Sequence, residues 1–347
     1  MVLTMGTNVP IVNYLTKGSN LSYKKWKGRD KPISERILME GNNVMRINNL
    51  QKVKSYLKGP VVPMTTPIKE NGEVDYDGLA ELTNFYIEKG IKVLIAVGTT
   101  GYCYALTEEE HRKAVETVVK TSDGRAFVIA GVSHSGTMIS NKLADICQKA
   151  GADALLMTPP YYHQTTNAEG IYEHYKSVAK NHTLGLIVYK TSPAILDIEL
   201  FKRLADIEDI IGIKDASGDY NFAREICIKL RNRFVIISGG SMRYYLWHWL
   251  WGAPAYITSV ANLVPQIEID FYNYLQKGDL KSAKKIVVEY EEPFFEVMIK
   301  YGWHQSLHSA LKIFGLPAGK LRLPLVEPPK SHIEKMKKVF KEIGLLK

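Results

Sequence analysis

Ile210-Ile211-Gly212-Ile213-Lys214 is a short apolar run that ends in a lysine, and a turn-forming segment, Asp215-Ala216-Ser217-Gly218, follows it directly. The run does not alternate with polar residues, which is typical of a strand buried on both faces, as in a parallel sheet. Similar runs occur at Val61–Met64, Val93–Val97, Phe127–Val132, Ala154–Thr158, Leu184–Tyr189, Phe234–Ser238 and Ala255–Val260. The chain therefore offers eight strands for one buried sheet.

Helix-like segments separate these runs. They lie at Asp77–Lys89, Glu108–Thr121, Ser140–Ala150, Ala168–Asn181, Ile198–Ala205, Tyr220–Leu230 and Met242–Trp251. Eight strands separated by seven helices predict an α/β fold of the closed (β/α)8 TIM-barrel type. An open doubly wound sheet would need a glycine-rich turn after its first strand, and Met64-Thr65-Thr66-Pro67 is not such a turn.

The order of these patterns divides the 347-residue chain into three parts. We expect a basic N-terminal arm over residues 1–58, the barrel over residues 59–263 and C-terminal helices over residues 264–347. The last part carries helical patterns at Gln266–Gln276, Asp279–Met298, Gln305–Phe314 and Ile333–Ile343. That is too much for one closing helix, so the sequence predicts a helical appendage.

The net charge of +9 is concentrated in the arm, where residues 1–58 hold eleven basic and three acidic side chains. The other 289 residues hold 34 basic and 33 acidic ones, so the folded part lacks the basic face of a nucleic-acid-binding protein. Residues 1–44 show no helical or strand period. Three alternatives are open for them: a disordered or loosely packed arm, a segment that precedes a natural start at Met45, or an organelle-targeting segment. Targeting is the weakest alternative, because the first 23 residues hold one basic residue, Lys17.

Composition excludes several further classes of protein. No stretch of about 18 uncharged apolar residues predicts a membrane span. The three cysteines lack CxxC spacing, which argues against disulfides and zinc and favours a reducing compartment, so we expect a cytoplasmic protein. His304 and His308 are four residues apart, but no third ligand accompanies them, and we expect no metal.

In a barrel of this type the reactive residues lie at the carboxyl ends of the strands. Lys214 ends the sixth run and Tyr189 ends the fifth. Burial of an amine favours its neutral form, which attacks a ketone to form an iminium, and a nearby phenol can move the protons. The alternatives are a lysine that extends to solvent and a tyrosine that only closes the barrel. Gly98-Thr99-Thr100-Gly101 offers hydroxyl and N–H groups for a carboxylate, or forms a simple turn.

Four motifs together resemble the dihydrodipicolinate synthase / N-acetylneuraminate lyase superfamily of class I aldolases and dehydratases. They are Val97-Gly98-Thr99-Thr100-Gly101, Thr158-Pro159-Pro160-Tyr161-Tyr162, Val188-Tyr189 and Gly212–Gly218. The resemblance covers residues 59–328, and Leu311–Pro324 is similar to the C-terminal helical signature of the superfamily. It implies a TIM barrel, a 2-keto acid substrate, no cofactor and a homodimer or homotetramer.

The resemblance also implies roles for individual residues. Lys214 matches the Schiff-base lysine, Tyr189 the proton-shuttling tyrosine, and Thr100 with Thr99 the hydroxyls that hold the substrate carboxylate. Tyr162 matches a tyrosine that reaches the neighbouring subunit's site in some members. The remaining residues implied to line the keto-acid pocket are Gly98, Ser238, Gly239 and Ser259.

Two departures bear on the substrate. Members that make dihydrodipicolinate follow the shuttle tyrosine with Asn-x-Pro and an arginine, whereas here Lys190-Thr191-Ser192-Pro193 follows, and Tyr102 replaces a common acid after the glycine–threonine motif. Both argue against the synthesis of dihydrodipicolinate. Ser192–Leu196 and Ser259–Pro265 are more similar to the sugar-acid branch, which implies aldol cleavage or dehydration of a 2-keto-3-deoxy or keto-deoxy sugar acid. The alternatives are a 4-hydroxy-tetrahydrodipicolinate synthase, which condenses pyruvate with aspartate semialdehyde, and a non-catalytic keto-acid-binding protein. Lys190 could replace the missing cation, or be a solvated loop lysine.

Overall fold

The computed structural model describes residues 51–162, 167–191 and 196–346. Eight parallel strands follow one another around a closed barrel in chain order, and the eighth pairs with the first. The strands are β1 (Gly59–Pro63), β2 (Val93–Ala96), β3 (Phe127–Gly131), β4 (Ala154–Met157), β5 (Gly185–Lys190), β6 (Ile210–Asp215), β7 (Val235–Ser238) and β8 (Ala255–Ile257). The TIM barrel expected from the sequence is confirmed.

In the part of the chain that the structure describes, seven helices connect the strands. They are α1 (Tyr76–Glu88), α2 (Glu108–Ser122), α3 (Thr137–Lys149), α4 (Ala168–Asn181), α5 (Ile198–Leu204), α6 (Tyr220–Leu230) and α7 (Ser241–Leu250). Local signals fix their first turns. The Thr107 side chain accepts from the Glu110 N–H, and the Glu110 carboxylate accepts from the Thr107 N–H at 2.9 Å, which forms the capping box at α2.

The strands are apolar at successive positions because both of their faces are buried. Val93 and Ile95 of β2 point into the barrel, whereas Leu94 and Ala96 pack under the surrounding helices. Side chains of this kind fill the interior of the barrel, so the barrel is a packed core and not a pore.

Residues 51–58 close the amino end of the barrel. Residues 51–56 are helical, and Val53 and Leu57 are buried against the inward-facing strand residues. The Tyr56 ring stacks on the Phe127 ring with centroids 5.7 Å apart. The last eight residues of the segment that we expected to be an arm are thus packed, while residues 1–50 lie outside the described residues.

The C-terminal part is helical, as expected. It contains α8 (Pro265–Gln276), α9 (Leu280–Ile286), α10 (Glu292–Ile299), α11 (Trp303–Ile313) and α12 (Lys330–Glu342). The single helix expected at Asp279–Met298 is divided by a π-helical turn, Val287–Glu291. Pro293 follows this turn, and because proline has no N–H, the regular α-helical ladder cannot continue through it. The Glu292 N–H instead reaches back to the Val287 carbonyl.

Candidate active site

A cavity of about 280 Å³ opens at the carboxyl end of the barrel. One part of its wall comes from the strand ends and the loops that follow them. The other part comes from α7 and from two helices of the C-terminal appendage. A ligand in this cavity would therefore contact both the barrel and the appendage.

Lys214 lies near the end of β6, and its side chain is 6% exposed. β5 and β6 pair with Tyr189 directly beside Lys214. The Lys214 Nζ atom lies 3.5 Å from the centroid of the Tyr189 ring, and both residues line the cavity. The amine and the phenol, which the sequence places at the ends of neighbouring strands, therefore meet in one pocket.

Asp215 and His248 support this part of the wall from behind. Asp215 follows Lys214, is 1% exposed and accepts hydrogen bonds from the N–H and hydroxyl of Ser217. Its other oxygen lies 3.1 Å from His248 Nε2, and His248 Nδ1 lies 2.9 Å from the Tyr244 carbonyl oxygen. These bonds tie the end of β6 to α7. The sequence does not predict this pair, because a histidine inside a helix carries no local signal of a distant carboxylate.

The loop after β2 supplies Gly98, Thr99 and Thr100 to the cavity. The Thr100 side chain is buried, and the hydroxyl of Thr66 donates to the Gly101 carbonyl at 2.8 Å, which fixes the loop. The loop for which the sequence predicts carboxylate binding therefore lies at the cavity.

The other predicted site residues divide into two groups. Gly239 and Ser259 line the cavity. Ser238 does not; its hydroxyl is buried and has no hydrogen-bond partner among the described residues. Tyr162 also lies outside the cavity wall, and its side chain is 78% exposed in the single chain. Its backbone N–H donates to the Ser135 hydroxyl at 3.1 Å, so the backbone beside it is held.

Lys190 does not line the cavity. Its Nζ atom donates to the Leu196 carbonyl at 2.8 Å and lies 4.4 Å from the centroid of the Phe222 ring. Burial lowers its pKa from the ordinary lysine value. The sequence left two alternatives open for Lys190, a solvated loop lysine and a cation that replaces the missing arginine in the site. The side chain is neither of these.

Several wall residues were not predicted from the sequence as site residues. Arg243 and Tyr244 come from the first turn of α7, Phe295 from α10, and Trp303 and His304 from α11. Burial lowers the pKa of His304, which favours its neutral ring. Among the described residues no group of three histidines, cysteines or acids could hold a metal ion. No described helix is long and apolar enough to cross a membrane.

A buried lysine at the end of the sixth barrel strand, with a tyrosine ring against it and a threonine loop beside it, defines a class of protein. It is the class of Schiff-base-forming lyases of the class I aldolase type. Residues 56–343 match the model of the Dihydrodipicolinate synthetase family. The chain belongs to this family, and it is an enzyme of the Schiff-base-forming type.

Individual relatives agree with this assignment. The chain is 36% identical to the 4-hydroxy-tetrahydrodipicolinate synthase of Psychrobacter sp. (strain PRwf-1) over 284 residues, which cover 80% of this chain and 92% of the relative. It is also 36% identical to the enzyme of that name from Archaeoglobus fulgidus over 293 residues, which cover 83% of this chain and 99% of the relative.

A solved structure agrees as well. The chain superposes with a TM-score of 0.79 on the dihydrodipicolinate synthase from Acinetobacter baumannii, whose crystal structure is described as a chloride-inhibited enzyme complexed with pyruvate. The two are 29% identical, and the match covers 84% of this chain and 100% of the other.

Proposed function

We propose that this enzyme cleaves or dehydrates a 2-keto-3-deoxy or keto-deoxy sugar acid through a Schiff base on Lys214. The observation that carries the proposal is the buried Lys214 amine, which lies 3.5 Å from the centroid of the Tyr189 ring inside a cavity. With a volume of about 280 Å³, this cavity is suited to a small metabolite.

The reaction begins when the neutral amine of Lys214 adds to the C2 carbonyl of the substrate. Tyr189, with Thr100, moves the protons that turn the resulting carbinolamine into an iminium and release water. The Gly98–Gly101 loop holds the C1 carboxylate. The iminium then accepts the electron pair of the bond that breaks at C3.

Two outcomes follow from the same iminium. In aldol cleavage, the C4 hydroxyl loses its proton, the C3–C4 bond breaks, and an aldehyde leaves the pyruvyl enamine behind. In dehydration, C3 loses a proton and the C4 hydroxyl departs as water after it is protonated. After aldol cleavage the enamine is protonated to an imine. In both routes hydrolysis of the imine then regenerates the Lys214 amine.

The lining of the cavity supports a hydroxylated substrate. Ser241, Tyr244, Ser259 and His304 contribute hydroxyl and imidazole groups to the wall. Such groups hydrogen-bond the hydroxyls of a sugar acid, which would otherwise be buried without partners.

Borohydride trapping tests the proposal. The enzyme is incubated with pyruvate and with a panel of keto sugar acids, reduced, digested and analysed by peptide mass spectrometry. We expect a reduced adduct on Lys214 and none in the Lys214→Ala variant, and assays for released pyruvate and for dehydrated product then identify the outcome. No adduct with any keto acid, or an adduct on another lysine, would contradict the proposal.

A second candidate function is the condensation of pyruvate with aspartate semialdehyde. Relatives 36% identical to this chain are named 4-hydroxy-tetrahydrodipicolinate synthase, which favours it. The arginine missing after Tyr189 speaks against it. Turnover of the two substrates together decides the matter, and undetectable turnover would remove this candidate.

We also propose that the chain forms a homodimer or homotetramer in which Tyr162 reaches the neighbouring site. The support is a group of exposed apolar side chains, Met138, Tyr161 and Tyr162, of which Met138 is 83% exposed. Light scattering after gel filtration is expected to give a multiple of the 39.2 kDa chain mass. A monomer at micromolar concentration that remains fully active would contradict this arrangement.

A further inference from the structure

The charges of the cavity wall are of one sign. Among the described residues that line it, two carry a permanent or ionisable cation at the end of a long side chain, Lys214 and Arg243, and none is acidic. A site with walls of low polarizability and one sign of charge favours ligands of the opposite charge. In the proposed function the Gly98–Gly101 loop holds the first carboxylate and Lys214 becomes part of the covalent adduct, so neither step uses Arg243.

Arg243 is held firmly by its backbone. The N–H groups of Met242 and Arg243 donate to the two carboxylate oxygens of Glu291 at 2.7 and 2.8 Å. Glu291 is 1% exposed, so solvent does not loosen these bonds. The first turn of α7 therefore has a fixed position relative to the cavity.

The guanidinium is also oriented, but its hydrogen-bonding capacity is not filled. Its Cζ atom lies 4.2 Å from the centroid of the Phe295 ring, an arrangement that fixes the plane of the group. The Nη1 atom lies 3.3 Å from Glu292, whose side chain is 50% exposed, so this ion pair is weak. The Nε atom is buried and has no hydrogen-bond partner among the described residues. A buried donor without a partner is unfavourable. The Arg243 side chain as a whole is 30% exposed and lines the cavity, so a ligand can reach it.

We infer that Arg243 binds a second carboxylate, at the end of the substrate remote from the keto group, so that the substrate is a dicarboxylic keto-deoxy sugar acid. The inference rests on the proposed function, because it takes the Schiff base on Lys214 to fix the first end. The planar guanidinium presents paired N–H groups that match the two oxygens of a carboxylate. Lys190 cannot take this role, since its amine donates to the Leu196 carbonyl outside the cavity.

The experiment compares two keto-deoxy sugar acids of equal chain length. One ends in a carboxylate, and the other ends in a neutral hydroxymethyl group. The readout is the concentration of each acid that half-saturates the borohydride-trapped adduct on Lys214, so that cleavage is not required. For the wild type we expect the dicarboxylic acid to half-saturate at the lower concentration.

In Arg243→Gln the half-saturating concentration of the dicarboxylic acid is expected to rise about 100-fold, the scale of a lost charge-assisted bidentate hydrogen bond. The preference for it over the hydroxymethyl acid should then disappear. Arg243→Lys keeps the charge but loses the paired geometry, and an intermediate rise is expected. Arg224→Gln, which changes an exposed arginine of α6, serves as the matched control and should keep the preference.

The two proposals fail in different ways. If wild-type enzyme forms no adduct on Lys214 with any keto acid, the proposed function fails. If adducts form but the wild type does not prefer the dicarboxylic acid, or Arg243→Gln keeps that preference, only the assignment of Arg243 is overturned. Adduct formation with pyruvate, which has one carboxylate, shows that each variant is folded and retains its nucleophile.

Discussion

The two ends of the barrel are built from opposite kinds of residue. At the amino end, residues 51–57 place Val53 and Leu57 against the apolar interior, and both are at most 1% exposed. At the carboxyl end, Lys214, Thr100 and Arg243 surround a cavity. Burial of apolar area stabilises the fold, whereas polar groups held around a cavity gain little until a ligand binds. One end therefore supplies stability and the other supplies chemistry.

The largest effect is expected at the carboxyl end, for Lys214→Ala. Loss of the amine removes the covalent step, and kcat/KM should fall roughly 10⁴-fold or more, as for other lost nucleophiles. The free energy of unfolding should change little, since the Lys214 amine faces the cavity, where it lies against the Tyr189 ring. Steady-state kinetics measure the fall in kcat/KM, and urea unfolding measures the free energy of unfolding. If Lys214→Ala lowered the free energy of unfolding as well as kcat/KM, the carboxyl end would also supply stability, and the division of roles between the two ends would not hold.

Tyr189→Phe is expected to have the second largest effect. The ring that packs against Lys214 remains, but the hydroxyl that moves protons is lost, so kcat should fall about 10²- to 10⁴-fold. Borohydride trapping with pyruvate under single-turnover conditions should show slower formation of the same adduct on Lys214. Unchanged kcat would mean that the tyrosine has only a packing role.

At the amino end, Leu57→Ala should act on stability instead. Leu57 is fully buried, and its truncation is expected to lower the free energy of unfolding by about 2–5 kcal/mol. Denaturant unfolding at 25 °C measures this loss, and kcat/KM of the folded fraction should stay near the wild-type value. Lys58→Ala, at the exposed neighbouring residue, is the control and should change stability little.

The smallest expected effect is a pH dependence of the free energy of unfolding, caused by a buried acid behind the carboxyl end of the barrel. Glu268 of α8 is fully buried, and it accepts hydrogen bonds from the hydroxyls of Tyr256 and Thr258. Burial raises its pKa to about 7 from the ordinary value of 4.5. A raised pKa of an acid means that the folded state binds the proton more tightly, so this contribution to stability is complete below pH 4.5 and is lost as the pH rises through 7.

Glu268→Gln removes that titration and should flatten the stability profile between pH 5 and pH 8. The difference between the two proteins over this range is expected to be on the order of 2–3 kcal/mol. Denaturant unfolding at a series of pH values measures it. A profile that keeps the wild-type slope would assign the titration to a neighbour, of which the buried Glu291 is the first to examine.

The barrel could be predicted because its signals are local. Each strand is an apolar run, and the ends of the helices carry their own caps, as Thr107 does for α2. The packed segment at residues 51–56 was missed for the opposite reason. Its lysines suggested a solvated arm, whereas its contacts in space with the interior strand residues, Phe127 among them, show that its apolar side is buried.

The candidate site was predictable only in part. Lys214, Tyr189 and Thr100 stand at strand ends, where the fold itself predicts reactive residues. Arg243 stands in a helix and His304 in the appendage, and their place in the wall follows from how α7 and α11 pack, which no local pattern encodes. In the inference drawn above, Arg243 takes the role of the arginine that the loop after Tyr189 lacks.

The bonds from Glu291 to the first turn of α7 have a consequence for evolution and for engineering. The anchor and the helix that it holds are separated by 48 positions in the chain. A recombinant that takes its barrel from one relative and its tail from another would bring together a helix turn and an anchoring carboxylate of different origin. The barrel and the tail are therefore best exchanged as one piece when this enzyme is engineered.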